Sequence, residues 1–237
     1  MGIQSEICSR VRDFQWNRIY NVYFLLFNYT FQSMNKFDTL IVTVPNAVLF
    51  PTGVHPEGFI PHAENDLRKV ILENYTYTRR GDAETDFTMK QPISYAVIRN
   101  TEGKIFAYQR GDKRTEAHET RLAGKWACGI GGHIEKEDET GDILADSLIR
   151  ELEEEITLHG KILSVDPIGY INSEKDEVSK VHIGVLYVIT TDSPSATGSE
   201  EVVNEGFYTP DELHEMMKNP NTIWEEWTKI ALKAVIG

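Results

Sequence analysis

Three glutamates, Glu151, Glu154 and Glu155, stand close together in the stretch DILADSLIRELEEEI, residues 142–156, with Arg150 directly before the first. On a 3.6-residue period Ala145, Leu148, Leu152 and Ile156 form one apolar stripe, with Ile149 beside it. The spacing therefore predicts an amphipathic helix over Asp142–Ile156. Glu151 lies three residues from Glu154 and four from Glu155, so the three carboxylates share a face off that stripe. Like charges at these spacings destabilise a helix by roughly 0.2–0.5 kcal/mol per pair. A divalent cation removes the repulsion, and oxygen-only donors suit a hard ion, Mg²⁺ with Mn²⁺ as the alternative. Arg150, four residues before Glu154, can brace it. A glutamate run standing alone is more often a solvated acidic face. This one follows Gly129-Ile130-Gly131-Gly132, where glycines let backbone approach a ligand and suit a tight turn out of a strand.

The surrounding sequence supplies the elements that must hold these residues. Thr39–Val44 reads as a β-branched strand stopped by Pro45, and Leu67, Val70 and Ile71 give Ala63–Leu72 a helical spacing. The polar stretch Arg79–Met89 reads as a loop. Ile93–Ile98 and Lys104–Gln109 are strand candidates joined by a turn at Asn100–Gly103, and Trp126–Ile130 is a third, leading into Gly131-Gly132. Ile162–Ile171, Val181–Thr190 and Glu205–Tyr208 read as strands, residues 192–199 as a polar loop, and Asp211–Lys218 and Trp224–Val235 as closing helices. Strands, a central helix, more strands and then helices predict an α/β fold with a mixed sheet between helical layers. Residues 1–36 are set apart by aromatics and Asn, and the expected division is 1–36, an extension over 37–90 that packs on the core, and a main domain over 91–237. Residues 1–33 are expected to be dispensable.

Composition narrows the function classes. The 237 residues, 41% hydrophobic, suffice for one good-sized core. A net charge of −13 argues against a nucleic-acid polymer as partner. It leaves open a small phosphorylated substrate, which an acidic site reaches through a cation. Two cysteines, Cys8 and Cys128, form no CxxC, which points to a reducing, cytoplasmic setting. Seven histidines show no HxxxH spacing, so no structural zinc site is expected. The apolar stretch Ile19–Phe31 is too short to span a bilayer, and no membrane partner is expected.

Gly131-Gly132 followed by Arg150-Glu151-Leu152-Glu153-Glu154-Glu155 resembles the Nudix box, G-x5-E-x7-R-E-U-x-E-E-x-G-U, with Leu152 and Leu158 at the aliphatic U positions. Over about residues 90–236 the chain is similar to the Nudix (MutT-like) hydrolases. RLAGKWACGIGGHIE (121–135) and VHIGVLYV (181–188) further resemble a prokaryotic subgroup of predicted Nudix phosphoesterases, which shares an N-terminal extension. The resemblance implies an α/β/α sandwich and hydrolysis of a nucleoside diphosphate derivative or related diphosphate. It implies Glu151, Glu154 and Glu155 as metal ligands, the Gly132 carbonyl as a further ligand, and Arg150 as the residue that orients them. There are two departures. Thr157 stands where the family has Gly, and Gly132 to Arg150 is about four residues longer than usual. The first box acid is Asp142 when counted back from Arg150 and Asp138 when counted forward from Gly132. With Glu137–Gly141 read as a lengthened loop, Asp142 is the acid at the helix N-terminus.

The expected mechanism is metal-assisted hydrolysis. The proton of the attacking water goes to Glu154, or to a loop glutamate such as Glu201, with Glu200 beside it. Arg121, Arg110 and His133 are the expected substrate contacts, and Lys113 and Arg114 share the basic stretch before the box. Cys128 is expected to be a buried small residue, and Trp224 and Trp227 to pack a helix. The rival readings are a non-catalytic ligand sensor on the same fold, a diphosphate isomerase, and an interaction domain with an acidic helix. A homodimer stays open.

Overall fold

The computed structural model describes residues 35–111, 123–138, 141–199 and 202–237. Its strands are β1 (Leu40–Pro45), β2 (Gly58–Pro61), β3 (Thr76–Arg79), β4 (Met89–Asn100), β5 (Ile105–Arg110), β6 (Trp126–Ala127), β7 (Gly129–His133), β8 (Ile156–Leu158), β9 (Ile162–Asn172), β10 (His182–Thr191), β11 (Ala196–Gly198) and β12 (Val202–Tyr208). Its longer helices are α1 (Leu67–Asn74), α2 (Ile143–Glu155), α3 (Pro210–Lys218) and α4 (Glu226–Ile236). The main sheet runs β12-β5-β4-β10-β9-β2. Only β4 and β10 pair in parallel among the described strands, so the sheet is mixed and mostly antiparallel.

Alternation along β4 explains the layers. Ala96 and Ile98 pack with Leu144, Leu148 and Leu152 of α2 in one buried cluster. Ile93, Tyr95 and Val97, pointing the other way, pack with Leu213 of α3 and Ala231 and Leu232 of α4 in a second. A sheet apolar on both faces needs helices on both, and the result is the α/β/α sandwich expected from the sequence.

Strands β2 and β3 lie where the sequence carries no strand signal, and the expected elements shift in three further places. The strand expected over Trp126–Ile130 divides at Cys128, whose backbone N–H turns to the Thr228 hydroxyl of α4 at 3.2 Å instead of a neighbouring strand. The stretch read as a loop, Arg79–Met89, contains a helical turn at Arg80–Ala83. Residues 192–199 contain β11, which pairs antiparallel with β8. Residues 37–90 join the sheet directly, β1 pairing with β4 and β2 with β9. The expectation that residues 1–33 are dispensable lies outside the described residues. No described helix is long and apolar enough to cross a membrane.

Candidate active site

Helix α2 carries the glutamates, and its two ends explain its placement. Asp142 is the N-cap, its carboxylate accepting from the Ala145 N–H at 3.4 Å and pairing with the Arg68 guanidinium of α1. In the first turns the Ser94 hydroxyl of β4 donates to the Leu144 carbonyl at 2.8 Å and lies 2.7 Å from the Ser147 hydroxyl. That contact seats the helix on the strand opposite Gly132, whose register partner is Ser94. At the other end Ile156 adopts extended φ −142° and ψ 141°, and the chain passes straight into β8. This helix therefore ends without a left-handed residue, which removes the usual need for glycine near position 157.

Arg150 organises the site. Its Nε and Nη2 reach the two carboxylate oxygens of Asp138 at 2.8 and 3.1 Å, a bidentate pair. Nη2 also donates to the His133 carbonyl at 2.9 Å, and Nη1 reaches Glu151 at 2.8 Å and Glu154 at 3.3 Å. Asp138 is buried, and its Oδ2 also accepts the Glu135 N–H at 2.7 Å. The guanidinium thus spans from a fixed buried acid to the carboxylates of the helix. Burial opposes its charge, but Asp138, Glu151 and Glu154 outweigh that and hold its pKa above the ordinary arginine value.

The glutamates differ in setting. The Glu151 side chain is only 12% exposed and that of Glu154 is 59% exposed. Burial raises the Glu151 pKa, Arg150 works against the rise, and Glu154 and Glu135 add to it. Glu135 itself is raised, first by burial. It is a further carboxylate within electrostatic reach of Glu151 and Glu154 that sequence reading missed, because it lies on the loop after β7 and outside the box spacing. A Cβ built on Gly132 would stand 2.2 Å from Glu151 Oε1, so glycine is what lets backbone lie against this carboxylate. Gly131, at φ +153°, would push a Cβ to 1.8 Å from the Ser94 carbonyl oxygen. The first glycine serves the strand contact and the second serves the site.

Carboxylates gathered on one helix face by a buried Asp–Arg pair, beside glycine backbone, form a centre suited to an oxygen-coordinated cation and a phosphate. A family model of the NUDIX domain matches residues 89–227. The chain belongs to the Nudix family. Protein YmaB of Bacillus subtilis is 34% identical over 163 residues, spanning 65% of this chain and 76% of YmaB. A crystal structure of Tm1382, described as a presumed Nudix hydrolase, superposes with TM-score 0.66 over 83% of this chain and 98% of its own, at 24% identity, which establishes a common fold. As a Nudix hydrolase the chain is an enzyme acting on pyrophosphate bonds.

Within the Nudix box the two candidate acids take separate tasks. Asp138, counted forward from Gly132, pairs with Arg150, and Asp142, counted back from Arg150, caps the helix. The remaining expected residues take different places. Arg110 pairs with buried Glu225, lies against the Tyr108 ring and is within electrostatic reach of Glu155. His133 gives its carbonyl to Arg150, but its ring Nε2 lies 2.8 Å from Gln91 and 3.1 Å from His182, on the sheet face away from α2. Arg121, Lys113, Arg114, Glu200 and Glu201 lie outside the described residues. Cys128 is buried, and burial pushes its thiol pKa up.

Proposed function

We propose that this hydrolase cleaves the pyrophosphate bond of a nucleoside diphosphate derivative, or a related small diphosphate, with Mg²⁺ held by Glu151, Glu154 and Glu155 and with Mn²⁺ able to replace it. The observation that carries the proposal is the Arg150 fork, which ties buried Asp138 to Glu151 and Glu154. It keeps together carboxylates that would otherwise repel. The site fits such an ion on two counts. Its donors are all oxygen, and Gly132 puts no side chain against the Glu151 carboxylate. A bound divalent cation neutralises charge on the phosphate oxygens and lowers the pKa of water.

The chain's own residues divide the rest. Glu151, shielded and fixed by Arg150, keeps its orientation. Glu154 is the more exposed, which supports it as the acceptor of the proton of the water that attacks phosphorus. Asp138 acts only through Arg150, whose position it sets. Phosphate-release assays over a panel of nucleoside diphosphate derivatives, each with Mg²⁺ and with Mn²⁺, test the reading. Metal-dependent release from at least one member is expected, and no release from any, or release that persists in excess chelator, would overturn it.

A further inference from the structure

We infer that Glu84, His133 and His182 form a second metal site, separate from the carboxylate helix and suited to a borderline ion such as Zn²⁺. One ligand atom from each of these residues lies within 4.8 Å of those of the other two. They come from three places: the residue ending the Arg80–Ala83 turn, the last residue of β7 and the first of β10. Two imidazoles and a carboxylate are a donor set that zinc favours and Mg²⁺ does not.

The hydrogen bonding around the rings is that of ligands already oriented. His182 Nδ1 lies 2.6 Å from the Val178 carbonyl, which can only accept. Nδ1 therefore carries the proton and the Nε2 lone pair points inward, the arrangement seen where a carbonyl fixes the tautomer of a metal-bound histidine. Nε2 of His182 and Nε2 of His133 are 3.1 Å apart. Two nitrogens on a tetrahedral zinc at its usual bond length stand about 3.3 Å apart, so the rings need move little. Without an ion, one proton on His133 Nε2 must serve both Gln91 Oε1 at 2.8 Å and His182 Nε2 at 3.1 Å. Gln91 is fully buried beside the pair, and its Nε2 has no hydrogen-bond partner. Turning the amide over would give that nitrogen His133 as acceptor, but would leave two imidazole lone pairs facing each other. An ion between the rings takes up both lone pairs in place of that shared proton, at the cost of the hydrogen bond from His133 to Gln91.

Charge does not run wholly one way. The Arg80 guanidinium reaches Glu84 at 3.4 Å and Lys90 also acts on His182, so Glu84 has to offer the ion an oxygen while keeping Arg80. Glu84 and His133 are only half-buried, which leaves an entry from solvent. The ion would tie the N-terminal extension to β7, one residue beyond Gly132 and at the residue whose carbonyl holds Arg150. Histidine spacing hid the site, because its ligands are distant in sequence and meet only through the pairing of β4 with β7 and β10.

The test uses the full chain stripped with chelator and titrated with Zn²⁺ calorimetrically, and with Co²⁺ by visible absorption. The wild type should take up one equivalent outside the carboxylate helix, with a tetrahedral Co²⁺ spectrum that survives excess Mg²⁺. His182→Gln and Glu84→Gln should each weaken Zn²⁺ binding by roughly 100-fold or more, and a Glu151→Gln/Glu154→Gln/Glu155→Gln variant should keep the spectrum. Glu84→Gln lies at the half-buried end of a turn and provides the reading if His182→Gln does not fold. Zn²⁺ binding equal in wild type and Glu84→Gln, loss of the Co²⁺ spectrum with the helix glutamates, or no binding by the wild type would overturn the inference.

Discussion

Arg150 and the two glycines before the box carry the most at the residue scale. Arg150 is bound to five acceptor oxygens, two of them on buried Asp138. Arg150→Met should leave that acid unpaired and destabilise the fold by about 3–5 kcal/mol, read as a lowered midpoint in urea. An unchanged midpoint would show that the pair holds nothing together. The glycines separate fold from function. Gly131→Ala drives its Cβ into backbone at a φ that side chains rarely adopt, and should lose about 1–3 kcal/mol or more. Gly132→Ala meets only the end of the Glu151 side chain, so it should melt near wild type while turnover falls. The two variants exchanging these effects would contradict the assignment. The bracing of Glu154 by Arg150 was legible in the sequence because the two sit one helical turn apart. Glu135 and the pairing of Asp138 were not, since both depend on how the loop after β7 folds back on the helix.

At the scale of elements, the box helix is fixed by its cap and by the strand beneath it. Asp142→Ala removes the bond to the Ala145 N–H and should reduce stability by about 1 kcal/mol. Turnover should fall less than for Glu154→Gln, and equal melting temperatures for mutant and wild type would count against the cap. Period and β-branching predicted most strands and all four longer helices within a few residues. Strands β2 and β3, four residues each, are too short for a clear alternation, and three further departures have their own physical reasons. Cys128 breaks its strand because a helix hydroxyl takes its N–H. The turn at Arg80–Ala83 is too short for a periodic signal. The pairing of β8 with β11 joins residues far apart in a stretch whose polar composition reads as loop.

For the whole molecule, the main result is that the extension belongs to the architecture of the site. Arg68 of α1 pairs with the cap of α2, and the strands of residues 40–79 join the main sheet. Arg68→Ala and Asp142→Ala should therefore be non-additive in a double-mutant cycle, with a coupling of about 0.5–3 kcal/mol. Additive losses would mean that the extension rests on the helix without bracing it. The fold class followed from the order of elements, but this brace did not, because nothing in a local pattern says which loop a distant arginine will reach.

The central claim is that the carboxylates held by Arg150 perform the hydrolysis, and the most direct measurement is the turnover of Glu154→Gln on a diphosphate that the wild type hydrolyses. The amide keeps the volume, and Glu154 is the most exposed of the acids that Arg150 holds, so folding should be preserved. Turnover is expected to fall by about 10²–10⁴-fold with the melting temperature in chelator unchanged or slightly higher. Turnover close to wild type would remove Glu154 from the chemistry.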